Sequence, residues 1–143
     1  MRHPPRPVGA RLLGWRTLLA SMAQGLAALI AAGALYFAVL AHGADENTAR
    51  AQAFTVILLS NLGLILANRS QHRSLLRALR TPNRAFWWVT VFALVGLALT
   101  LYQPTLAALF RFALLDTAEL ALALATALLG LLAYSGARRL FHA

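Results

Sequence analysis

The stretch RAQAFTVILLSNLGLILANRS, residues 50–70, decides the fold. Arg50 and Arg69 enclose an uncharged run, Ala51 to Asn68, apolar except for a few small polar groups. An α-helix rises about 1.5 Å per residue, so this run reaches about 27 Å. That suits a thin bilayer, or a helix whose ends snorkel. Ser60 and Asn61 fall at its centre. An amide in hydrocarbon is costly unless it finds a partner. The question is what Asn61 is for.

Working outward, three more stretches have the length and apolarity to cross a membrane. Thr17 to Ala41 carries no charge, and neither does Leu120 to Ala137. Ala85 to Phe110 is also apolar, but Pro104 is expected to end its helix near Tyr102. The spans are therefore set at about 17–41, 51–68, 85–103 and 120–137. Composition agrees: of 143 residues, 60% are hydrophobic and only 12% are charged, against about 25% charged in a soluble domain. The expected fold is all-α: an integral membrane four-helix bundle. Residues 1–16 form a basic N-terminal segment and 17–143 the membrane domain.

The 13 basic residues are all arginine, and their placement orients the chain. Arg2, Arg6, Arg11 and Arg16 precede the first span. Arg69, Arg73, Arg77, Arg80 and Arg84 separate the second from the third, and Arg138 and Arg139 follow the fourth. The other side holds only Arg50 and Arg111, together with all four acids, Asp45, Glu46, Asp116 and Glu119. The positive-inside rule puts both termini in the cytoplasm, in a plasma or inner membrane. The charge of +9 is thus a topology signal, and no nucleic acid partner is expected. AHGA at 41–44 has signal-peptidase spacing, but the uncharged run before it exceeds the 7–15 residues or so of a signal peptide.

Punctuation fits four helices. Thr48 is placed to cap the second helix, and Thr81 with Pro82 the third. Trp15, Trp87 and Trp88 sit where an interfacial aromatic belt belongs. YQPTLAALFRF at 102–112 reads as an apolar segment along the outer interface. Packing in lipid favours small residues. Ser21, Gly25, Ala28, Ala32 and Gly33 supply them in the first span, and Ala121, Ala125, Gly130 and Ala133 in the fourth. On a helical wheel of the second span, Gln52, Ala53, Ser60, Asn61, Gly63, Ala67 and Asn68 share one half. Asn61 is therefore expected to face protein and hydrogen-bond a neighbouring helix, so that Asn61→Leu weakens assembly. The other reading is an ion or substrate contact.

Much chemistry is excluded. With no lysine and no cysteine, the chain has no Schiff base, P-loop lysine, disulfide or thiolate metal site. No span carries an ionisable group in its interior, as a proton-coupled small exporter would need. His3, His42, His72 and His142 have no metal-ligand spacing. Asp116 and Glu119, at i and i+3, are expected to cap the fourth helix rather than act as an acid/base pair. No catalytic, metal or cofactor site is expected.

Three segments together resemble a known family. RHPPRP at 2–7 looks like the basic, proline-rich lead-in to the seventh helix of P-type cation-transporting ATPases. ARAQAFTVILLSNLGLILANRS at 49–70 looks like the eighth helix, and LYQPTLAALFRFALLD at 101–116 like the connection from the ninth to the tenth. The chain is thus similar to the C-terminal membrane domain of these pumps, helices seven to ten. The resemblance implies a module supporting the ion-transport helices of a calcium- or magnesium-type pump, with the remainder of the ATPase and the lipid bilayer as partners. The family's Asp-Lys-Thr-Gly-Thr phosphorylation motif cannot occur without lysine, so this chain alone is expected neither to hydrolyse ATP nor to pump.

The resemblance also puts Asn61 where calcium pumps can carry an acidic ion ligand. An amide oxygen can ligate a hard cation but brings no charge, so Asn61 would be an auxiliary ligand at most. Arg69, Arg73, Arg77, Arg80 and Arg84 recur every three or four residues and would share a helix face. They read as an anionic-lipid contact or as a docking face for a pump's cytoplasmic domains. The alternative for the whole chain is an independent four-span scaffold or regulatory subunit.

Overall fold

The structure, a computed structural model, describes the backbone of residues 15–69 and 84–142, with side chains described except at 16–17, 67–69 and 135–142. Among the described residues five helices follow in order: α1 (Trp15–Ala41), α2 (Glu46–Arg69), α3 (Arg84–Tyr102), α4 (Pro104–Phe110) and α5 (Thr117–His142). All but α4 are long and apolar enough to cross a membrane. The expected all-α, four-span architecture is therefore present, with α2 and α5 longer than their uncharged runs suggested. The chain is a multi-pass membrane protein.

The ends of these helices explain their bounds. Leaving α1, Gly43 takes a positive φ of 86°, and the Ala44 N–H closes back on Val39 O at 3.2 Å. This is the left-handed exit that glycine permits at lowest cost. His42 Nδ1 donates to Ala38 O at 2.7 Å, so that histidine caps a helix end. Asp45, not Thr48, caps α2: its Oδ2 accepts from the Asn47 N–H at 3.1 Å, and the helix opens at Glu46. Expecting Thr48 placed the start one turn late, because Asp45 already supplies the cap, with Glu46 and Arg50 paired along the first turn. Asp116 and Glu119 form the expected cap as a reciprocal box. Asp116 Oδ1 accepts from the Glu119 N–H at 2.7 Å, and Glu119 Oε2 from the Asp116 N–H at 2.8 Å. Thr81 and Pro82 lie outside the described residues.

The connection after α3 is itself helical. Gln103 Oε1 accepts from the Leu106 N–H at 2.7 Å, Pro104 opens α4, and Arg111 ends it in the left-handed region. Phe110 and Phe112 then stack on each other and both meet Phe54 of α2. Tyr102 Oη donates to Leu115 O at 3.0 Å, and the Ala113 N–H donates to Asn47 O at 3.3 Å. One membrane face of the bundle is thus stitched together; we call it the far face. The near face carries the start of α1 and the end of α5, where Tyr134 Oη donates to Ala20 O at 3.4 Å.

Helix α2 is central. A third of its spanning stretch is buried, 33%, against 11–17% in the other three. It packs with α1 and α5 around Ala32, Leu35, Val56, Ala123 and Ala127. A second cluster, Ala51, Leu97, Leu101 and Leu115, fastens α3 to α2 at the far face. Lipid tails are as apolar as leucine, so close fit rather than water exclusion holds such helices together. Glycines mark where the fit is tightest. A Cβ on Gly63 would stand 2.1 Å from Leu131 Cδ1, and one on Gly130 would stand 3.2 Å from Ala31 Cβ. In α5 the buried small residues are Ala123 and Ala127, whereas Ala121, Ala125 and Ala133 are exposed. In α1, Ala32 is buried while Ser21 and Gly25 are exposed. Both corrections have one cause: alanine fills every face of these helices, so composition alone does not pick the contact face.

Candidate functional site

Polar groups on the central helix separate into two populations. Gln52, Thr55 and Ser60 are buried at 1%, 1% and 2% exposure. Thr55 Oγ1 satisfies itself by donating to Ala51 O one turn back, at 2.8 Å. Gln52 Oε1 is enclosed without a hydrogen-bond partner among the described residues. Ser60 lies against α1 and α5, beside Gln24 of α1, itself only 8% exposed.

Asn61 does not join them. It is exposed on the chain, where the wheel had turned it toward protein. Successive helical residues point about 100° apart, so Ser60 and Asn61 cannot both enter the α1–α5 seam, and Ser60 takes it. Asn61 instead stands between Ile57 and Ile65, at 39% and 46% exposure, in an i, i+4, i+8 row. The row is an open stripe on an otherwise wrapped helix. On one flank Phe54 and Leu58 pack toward α3; on the other, Ser60 and Leu64 meet Gln24, Ala27 and Ala28 of α1. The stripe is thus the floor of a groove between α1 and α3.

The arginine row is reached only at its ends. Arg84 is exposed where α3 begins, and Arg69 ends α2, its side chain not described. Arg73, Arg77 and Arg80 lie outside the described residues. The four acids are all on the far face, with three engaged in helix caps and Glu46 in the pair with Arg50. Among the described residues no three His, Cys, Asp or Glu side chains gather as a metal site would require.

Sequence reasoning passed over Gln24. The signal was available: it is the one amide in the uncharged first span, and the test applied to Asn61 would have found it. The arrangement offers a neutral amide on an open groove and polar groups in a closed seam. Among the described residues no Asp, Glu, His, Lys, Arg or Cys stands at mid-span.

A family model described as Cation transporting ATPase, C-terminus, matches residues 1–140. A search of the curated proteins finds no match.

Proposed function

Since this chain belongs to the family of cation-transporting ATPase C-terminal regions, we propose that it is a non-catalytic membrane buttress, seated against the transport helices of a P-type ATPase through the groove floored by Ile57, Asn61 and Ile65. The observation that carries this reading is the exposed Asn61 amide at mid-span on the most enclosed helix. Facing lipid, its donors and acceptor would go unmet, at a cost of several kcal/mol per group. Facing a helix that brings a hydroxyl, amide or backbone group, it gains a hydrogen bond of about 0.6–2 kcal/mol. The transport helices are that partner, whether carried on the same polypeptide or another.

ATP chemistry and charged ion ligands lie with the partner. This chain contains no lysine for the phosphorylation motif, and its four acids sit at the far face. Asn61 can add one neutral oxygen to a cation held by the partner's acids, as an auxiliary ligand. The arginine distribution makes the near face cytoplasmic, with Arg69, Arg73, Arg77, Arg80 and Arg84 against anionic lipid headgroups. The Tyr134–Ala20 hydrogen bond supports a shared side for both termini.

The absence of cysteine makes the test clean. In Asn61→Cys the new thiol is the chain's single cross-linking site. With the ATPase present in native membranes, it is expected to cross-link to a transport helix, mapped by mass spectrometry. Asn61→Leu should weaken retention of the ATPase in mild detergent while leaving the isolated chain's unfolding midpoint unchanged. Cross-links to lipid alone, with the four-helix chain recovered by itself, would point to an independent scaffold.

A further inference from the structure

We infer that the seam between α1, α2 and α5 holds a single buried water, bonded by Gln24 and Ser60. The two side chains come from different helices and are 8% and 2% exposed. Both line one cavity of about 10 Å³, completed by Ala27, Ala28, Leu64, Gly130 and Leu131. A cavity must offer roughly 10–15 Å³ on this measure to admit a water, so this one takes a single molecule. Space alone would not fill it, since apolar cavities stay dry.

Chemistry favours occupancy. The Ser60 hydroxyl offers one donor and two lone pairs, and the Gln24 amide two donors and two lone pairs. Ser60 is buried at 2% exposure with its side chain lining the cavity, and Gln24, which has a further interaction of its own, keeps donors and lone pairs to spare. A water bridging the hydroxyl to Gln24 gives both groups a hydrogen bond inside the seam for a small immobilisation entropy. Gly130, which also lines the cavity, lets α5 approach α1 closely: a Cβ there would stand 3.2 Å from Ala31 Cβ. The cavity is therefore a gap left where three helices converge on two polar groups.

The test uses the full chain in bilayers with deuterated acyl chains. Solid-state NMR transfers magnetisation from water protons to nearby protein sites. Ser60 and the Gln24 side-chain amide are expected to gain intensity early, and Val56, buried at 0% exposure one turn away, late. Equal, slow build-up at Ser60 and Val56 would overturn the inference. Ser60→Val gives a second reading through the sign of its effect. If it displaces a bonded water, Gln24 loses a partner: the early build-up at Gln24 disappears and the unfolding midpoint in SDS falls. A midpoint that stays level or rises would mean a dry gap had been filled, which overturns the inference as well.

Discussion

Placing alanine at Gly63 is the sharpest probe of how α2 and α5 fit. The added Cβ would lie 2.1 Å from Leu131 Cδ1 and 3.3 Å from both Cγ and Cδ2. Three of the four side-chain carbons of Leu131 are thus crowded at once, so a small rotation of one methyl does not relieve the clash. The whole isobutyl group must change rotamer or the helices must part. Overpacking of this kind costs about 1–3 kcal/mol. Replacing glycine by alanine inside a helix returns about 0.8–1.0 kcal/mol of propensity. The net loss for Gly63→Ala is then about 1 kcal/mol, read from SDS unfolding in mixed micelles by circular dichroism. The informative measurement is the cycle with Leu131→Ala. With the isobutyl group gone, the new methyl occupies vacated space, so the double variant should be more stable than the two single losses predict, by about 1–3 kcal/mol. Distant sites add within about 0.3–0.5 kcal/mol. A coupling inside that margin would refute the close approach of α2 and α5 at this point.

Three further outcomes follow from the caps and the far-face fastening. Asp116→Ala removes half of the capping box on α5 and should cost about 1 kcal/mol, within the usual range of about 0.5–2, seen as a lower unfolding midpoint. Tyr102→Phe deletes the hydrogen bond to Leu115 O and should cost about 0.5–1.5 kcal/mol; amide exchange at residues 112–116 should rise with it, and unchanged exchange would mean the hydroxyl holds nothing. Orientation is read with single cysteines: a membrane-impermeant maleimide should label Thr105→Cys from outside intact cells, and Ala143→Cys only after permeabilisation. The reverse pattern would invert the topology.

Much of the fold was written in simple quantities. Charge and length alone separate the four spans, because a charged residue inside hydrocarbon is so costly that Arg50, Arg69, Arg84 and the acids can only flank them. The Asp116–Glu119 box was legible because a capping box is a local signal, complete within four residues. What escaped was set by tertiary placement. The wheel gave Ser60 and Asn61 a common half-circle, yet only contact with α1 and α5 decides between neighbours 100° apart. The seam of α5 runs through Ala123 and Ala127, and no sequence rule prefers them to Ala121 and Ala125 in a helix rich in alanine. Thr48 lost its capping place because Asp45, three residues earlier, offers a better acceptor. In the candidate site, Asn61 was found by asking where a polar group is out of place. Gln24 would have been found the same way, but its role depends on Ser60 standing across the seam.

The fastening of α3 has a mechanical consequence. Its buried residues, Leu97 and Leu101, both lie in its last two turns, beside the aromatic stack and the Tyr102 hydrogen bond. From Arg84 to Gly96 no side chain of this helix is buried, and Phe92 is 82% exposed. Swinging the Arg84 end away from α2 therefore disturbs fewer buried residues than pulling at the Leu101 end. The helix is a lever pivoted near Leu101, and the wedge between it and α2 opens more easily toward the arginine-bearing side than at the far face. A body entering that wedge would meet Ile65, Asn61 and Ile57 in turn, while the buried contacts at Leu97 and Leu101 stay closed.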